Sequence, residues 1–258
     1  MIAHIAEELK IIRHSVLLFV SAFFLVFGAM LLFTFQMITV VGQSFWFLVP
    51  GSPSLATQIF LAAKNFLVPA GIPIVALSPM ASLAASITMA FLMSILLTFP
   101  LGLYLIGRFF WPALHKSERR GLARYMLPAL VLFYGGCAFG YFVIIPQTFD
   151  LLYAFAAPLD VAPLFALDDL VMSVFLLTLV TGCVFLLPIV MMALSHIGLV
   201  ERSFWRRHWR GAVVSMVIFA AVVTPDGSGV TAVFLSGPLI ALYMVGALSA
   251  PYPHQRGK

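Results

Sequence analysis

A chain of 258 residues that is 63% hydrophobic, with 25 Phe and only 9% charged residues, cannot cover a water-facing surface, since soluble domains use roughly 45–50% apolar residues. Its mean hydropathy of +1.11 makes lipid the solvent, and residues 1–258 are read as one all-α integral membrane domain. The net charge of +5 would suit nucleic acid, but the bases sit where a membrane protein needs them, so no nucleic-acid partner is expected.

Residues 1–14, "MIAHIAEELKIIRH", are read as a cytoplasmic tail. Glu7 and Glu8, followed by a long apolar run, are unlike a cleavable signal peptide. About 20 residues rising 1.5 Å each cross the hydrocarbon. On that measure the charge-free stretches become six transmembrane helices near 15–41, 82–107, 125–146, 169–195, 210–224 and 230–249. The segment "LATQIFLAAKNFLVPAGIPIVAL" stays outside the membrane, because Lys64, Pro69 and Pro73 make it a poor span. A seven-span protein with its N-terminus outside is the alternative. Pro100, Pro128, Pro188 and Pro238 fall inside spans, which packed membrane helices tolerate as kinks. Spans five and six read as short: 15 residues separate Arg210 from Asp226, and Gly237-Pro238 argues against a full regular helix in the last span. No strand is expected.

With the N-terminus inside, segments 1–14, 108–124, 196–210 and 250–258 face inward and hold 13 of the 14 Lys and Arg residues. All four Glu also fall inside and all five Asp outside. The distribution obeys the positive-inside rule and gives N-in and C-in ends. The basic surplus thereby belongs to topology and to anionic lipid headgroups.

Residues 115–125, "HKSERRGLARY", place five formal charges and a histidine in the loop between spans two and three. One reading makes the arginines topology anchors and Glu118 their neutralising partner. The surroundings are more specific. "FFWPALHKSERR", then fourteen residues ending "LFY", then "GGCAFGYFVIIP" resembles the TatC family, the multispanning subunit of the twin-arginine protein translocase. The matching elements are Pro112-Ala113-Leu114, Glu118-Arg119-Arg120, Leu132-Phe133-Tyr134, Gly136, Ala138-Phe139, Tyr141-Phe142-Val143 and Pro146, with Pro100 ahead and "TPD" at 224–226 behind.

The resemblance implies a receptor, not an enzyme, with no cofactor, in the plasma (inner) membrane of a prokaryote. It would bind the twin-arginine signal peptides of folded cargo and work with small single-span TatA/TatB-type subunits, as a homo-oligomer in the complex. Carried over by position, Glu118 is the loop carboxylate, Phe109 the aromatic ahead of Pro-Ala-Leu, and Glu8 the tail carboxylate of "EELK". The chemistry agrees. A guanidinium is a planar fork that a carboxylate accepts bidentately, and lysine cannot reproduce it. Two adjacent arginines on an extended peptide point apart, so two carboxylates on separate elements suit them.

This chain also departs from the family. The tail "HIAEELK" carries an extra residue after the His, leaving Glu7 or Glu8 as the tail acid, with Glu8 favoured because Leu9 follows it. Leu186 stands where many bacterial members place Glu or Gln, two residues before Pro188. Thr178, Gly182 and Leu186 follow at i, i+4 and i+8 and are read as one small-residue face on which a partner helix docks.

Asp226 matches the family's outer-face acid; Gly227 and Gly229 nearby equally suit a turn. Asp168 and Asp169 open span four, where acids suit a helix N-terminus. "SHIGLVERSFWRRHWR" reads as an inner interfacial belt, with a phosphate or headgroup site as the other reading. Cys137 and Cys183 lie in apolar runs without metal-ligand spacing, so no metal is expected. A small-solute or proton-coupled permease is the alternative from another class. Such proteins place ionisable groups within their spans, whereas here every Asp, Glu, Lys and Arg lies at a span end or in a loop.

Overall fold

The computed structural model describes residues 2–40, 43–67, 74–110, 116–156, 165–224 and 229–249. Five helical runs among them are long and apolar enough to cross a membrane: Arg13–Leu32, Ala81–Arg108, Arg124–Leu152, Leu167–His196 and Thr231–Ser249. Trp209–Val223 is a shorter apolar helix. The surface is inverted relative to a soluble protein: Leu25, 73% exposed, and Val222, 79% exposed, face the hydrocarbon.

The chain forms two compact units. The first comprises Met1–Leu105 with Ala162–Phe175. Helix α1 (Ile2–Leu32) runs unbroken through the expected tail into the first span. It stops at Leu32, not near residue 41 as expected from the charge-free run. Phe33–Val40 is instead strand β1, paired antiparallel with β2 (Gln43–Pro50), Phe33 opposite Pro50 and Val40 opposite Gln43. "FTFQMITV" is rich in aromatic and β-branched residues, which fit a pleated surface; hydropathy alone does not tell such a run from a helix. The expectation of no strands was therefore wrong.

Helix α2 (Leu55–Leu67) has 13 residues, about 20 Å, and is too short to cross. Its start is capped where the Thr57 amide donates to Ser54 Oγ at 3.3 Å. Gln58 on α2 holds the hairpin: its Nε2 donates to Thr34 Oγ1 at 2.6 Å and to the Phe35 carbonyl at 3.1 Å, while its Oε1 accepts the Phe35 amide at 3.4 Å. The side-chain amide thus stands in for a strand peptide beside β1. Strand β3 (Ile74–Val75) pairs parallel with β4 (Phe165–Ala166), and α3 (Ala81–Phe110) follows β3. Phe91 joins Phe23, at 5.1 Å between ring centroids, to Phe175, at 6.0 Å.

The second unit comprises Ile106–Val161 with Leu176–Lys258. Helix α4 (Lys116–Phe139) passes into a π-helical turn, Gly140–Ile144, closed by the Ile145 amide on the Gly140 carbonyl, and continues as α5 (Ile145–Ala156). Helix α6 (Leu167–Phe185) meets α4 through small residues on both sides. A Cβ on Gly136 would lie 2.7 Å from the Thr181 carbonyl oxygen and from Phe185 Cβ, and one on Gly140 would collide with the Thr181 hydroxyl. In return, Cys137 Sγ and Phe133 fill the space before Gly182. Small residues let backbones approach where no hydrophobic force drives helices together.

Pro100 and Pro128 lie inside continuous helices, whereas α6 ends at Phe185 and α7 (Leu187–His196) begins one residue before Pro188. Short α8 (Arg202–Arg207), α9 (Trp209–Val223) and α10 (Val230–Ser249) follow. The expected shortness holds for α9, with 15 residues, and fails for α10, a continuous 20-residue helix around Pro238. Two residues before the proline, the Ser236 hydroxyl donates to the Val233 carbonyl at 2.9 Å. Ala232, Leu235, Leu239, Tyr243 and Ala247 form the buried stripe of α10, which packs on α7 and α9.

Candidate functional site

The residues expected to bind a peptide lie at helix ends. Glu8 is on α1, before the apolar run that begins at Arg13. Phe109 is the penultimate residue of α3, and Glu118 the third residue of α4. The side chains of Glu8, Phe109 and Glu118, and the linking residues 111–115, lie outside the described residues.

The base of this region is firm where it is described. Arg124 is exposed on α4, and one residue on, the Tyr125 ring meets His196 edge-on at 5.9 Å, joining α4 to the end of α7. An ordered helix therefore carries Glu118 up from the hydrocarbon, with its register set by the α4–α6 contact below.

Thr178, Gly182 and Leu186 are placed differently from the expectation. Thr178 is 3% exposed, and Gly182 is covered by Cys137 and Phe133 of the same chain. Leu186 sits in the break between α6 and α7, its amide donating to the Cys183 carbonyl at 3.1 Å, three residues back. Leu186 keeps right-handed helical dihedrals there, φ −74° and ψ −16°. The space before Gly182 is taken up by Cys137 and Phe133 of α4. Asp226 lies outside the described residues; before it, buried Thr224 ends α9 in extended conformation, and after it Gly229 has a φ of +72°.

Two features escaped sequence reasoning. Gly136 and Gly140 stand four apart in "GGCAFG", and their spacing is the small-residue pattern that marks α4 as a packing face. In the first unit a cavity of about 320 Å³ opens among Thr57, Phe60, Ile74, Ser82, Ser86 and Met89, with the Thr57 and Ser86 hydroxyls 3.2 Å apart. Among the described residues no group of three or more His, Cys, Asp or Glu is gathered to hold a metal. What the helix ends of 108–124 can do chemically is accept and repel cations, with one carboxylate among several guanidiniums.

Comparison with known proteins bears on this arrangement. A family model described as Sec-independent protein translocase protein (TatC) matches residues 5–238. The Sec-independent protein translocase protein TatC of Cenarchaeum symbiosum (strain A) is 36% identical over 205 residues, covering 80% of this chain and 78% of that protein. The chloroplastic TATC of Pisum sativum is 38% identical over 153 residues, 59% of this chain and 43% of the longer plant protein. A solved crystal structure of a twin-arginine translocase receptor, TatC in DDM, superposes with a TM-score of 0.76 over 95% of this chain and 99% of that one, at 22% identity. That likeness extends the shared fold over nearly the whole chain.

Proposed function

This chain belongs to the TatC family of Sec-independent protein translocase proteins, and we propose that within such a translocase it is the subunit that reads the twin-arginine signal peptide. It is a multi-pass membrane protein. The observation that supports the receptor reading is the ordered set from Pro112 to Pro146, with Glu118-Arg119-Arg120 on the first turns of α4. Glu118 and Glu8 each accept one arginine of the peptide, and Phe109 packs beside it. Exposed ion pairs contribute only ~0–1 kcal/mol each, so the apolar part of the signal peptide supplies the remaining affinity.

The bases favour six spans with both ends inside, in the plasma membrane of a prokaryote. Small single-span subunits of TatA/TatB type and further copies of this chain complete the working complex. They dock away from Gly182, whose notch is filled from within. Asp226 is the acid assigned to the outer face.

The experiment is equilibrium binding of a signal peptide to the purified chain, with Arg-Arg and Lys-Lys versions compared. Preference for Arg-Arg that disappears in Glu118→Ala supports the reading; equal binding of both peptides by the wild type overturns it.

A further inference from the structure

The segment joining α7 to α9 is built, not merely basic. Arg202 Nη2 donates to the Leu248 carbonyl of α10 at 2.6 Å. Trp205 Nε1 donates to Ser195 Oγ of α7 at 3.0 Å, and Ser195 is fully buried. The Tyr243 hydroxyl of α10 donates to the Trp205 carbonyl at 2.7 Å. These bonds fix one side of α8 to the ends of two membrane helices. Phe204, Arg206 and Arg207 of α8, His208, and Trp209 and Arg210 at the start of α9 are all exposed. The Phe204 and His208 rings lie 4.3 Å apart, and the Arg210 guanidinium sits 5.7 Å from the Trp209 ring centre. Glu201 is the one acid between Ile197 and Val223, and it already accepts the Ser203 hydroxyl at 2.9 Å.

Below the cations the surface turns aliphatic along one helical face. Arg210, Val214 and Ile218 follow at i, i+4 and i+8 on α9, and the last two are each 59% exposed. A cation above an aliphatic strip complements an anionic headgroup above its acyl chain.

We propose that the collar formed by Arg206, Arg207 and Arg210, with Trp209 and Phe204 at the boundary, is a binding site for the phosphate of anionic phospholipids. Guanidinium forks match phosphate oxygens bidentately. Aromatic rings with polar edges settle at the headgroup level. Because α8 is held by α7 and α10, the backbone that carries Arg206 and Arg207 needs little ordering on binding, which favours selectivity over loose attraction. The occupant is lipid and not an acidic protein segment, since the collar continues without interruption into the exposed aliphatic face of α9. A headgroup held here fixes the level from which α9 starts across the bilayer. The proposal rests on the collar's geometry and not on the receptor reading.

The test titrates the purified full chain in detergent with phosphatidylglycerol or phosphatidylcholine of matched acyl chains, counting bound lipids by native mass spectrometry. Wild type should prefer phosphatidylglycerol by about tenfold or more. Arg206→Gln/Arg207→Gln/Arg210→Gln should abolish that preference, while the charge-matched Arg13→Gln/Arg108→Gln/Arg124→Gln should keep it. Trp205→Phe, which removes only the tie to Ser195, should weaken it by a few-fold. Retained preference in the collar variant, or equal loss in both triple variants, overturns the proposal. Displacement of the lipid by millimolar inorganic phosphate also overturns it, by showing a free-anion site. The melting temperature of each variant, measured on the same preparations, excludes misfolding as the cause of a loss.

Discussion

The Thr181 hydroxyl occupies the position that a Cβ on Gly140 would need, while itself donating to the Leu177 carbonyl at 2.7 Å. The contact falls where α4 gives way to its π-helical turn, so glycine at 140 and the local change in helical winding serve one close approach of α4 to α6.

Adjacent glycines on α4 should consequently behave in opposite ways. Gly135 has nothing within 4 Å of an added Cβ, whereas Gly136 meets the Thr181 carbonyl and Phe185 at 2.7 Å. Gly135→Ala should be neutral or stabilise by ~0.5–1 kcal/mol through the unfolded chain, and Gly136→Ala should cost ~1–3 kcal/mol as overpacking. Gly182→Leu should likewise reduce folded yield. Thermal unfolding in detergent reads all three, and equal melting temperatures for the two Gly→Ala variants would contradict the packing described.

How much of this was legible beforehand follows from what each signal measures. Hydropathy counts apolar residues, so it located Ala81–Phe110, Leu167–His196 and Trp209–Val223 within a few residues. It could not end α1 at Leu32, because Phe33–Val40 is as apolar as a span and charges are absent throughout 14–63. The end is set by β2 and by Gln58, partners distant in sequence. Helical spacing put Thr178 and Gly182 on one face correctly, but it says nothing of what covers that face. Proline at 238 was over-weighted, since α10 continues through it. For Glu8, Phe109 and Glu118 the resemblance alone supplies the proposed roles, since their side chains lie outside the described residues.

Gln58 should prove to be the tie of the β1–β2 hairpin in the first unit. Gln58→Leu removes its three bonds and leaves the fully buried Thr34 hydroxyl without the donor it now accepts. An unsatisfied buried group costs ~1–3 kcal/mol. Faster hydrogen exchange at Phe35 is expected, with little change in the Gly136 region; unchanged exchange at Phe35 would argue against the tie.

Helix α9 offers a test of bilayer mismatch. Its 15 residues span ~22 Å against a ~30 Å hydrocarbon core, and α10 beside it is full length, so any thinning rests on α9 alone. Such mismatch costs fractions of a kcal/mol per Å. Inserting four leucines into α9 should lower export of folded cargo while leaving signal-peptide binding intact. Undiminished export would remove the role of thinning.

The receptor acids should separate binding from folding. Glu118→Ala and Glu8→Ala should each leave the amount of protein in the membrane unchanged and abolish signal-peptide binding, because on the proposed reading each removes an arginine acceptor. A fall in abundance matching the loss of binding would assign these residues to the fold instead.

The central proposal, that this chain reads consecutive arginines through Glu8, Phe109 and Glu118, is tested most directly by photo-crosslinking. A photoreactive residue is placed in turn at positions 8, 109 and 118, and signal peptides carrying Arg-Arg or Lys-Lys are added to membranes. The expected result is strong crosslinking of the Arg-Arg peptide from all three positions and little with Lys-Lys. Equal crosslinking of both peptides, or none from any of the three positions, would contradict the account.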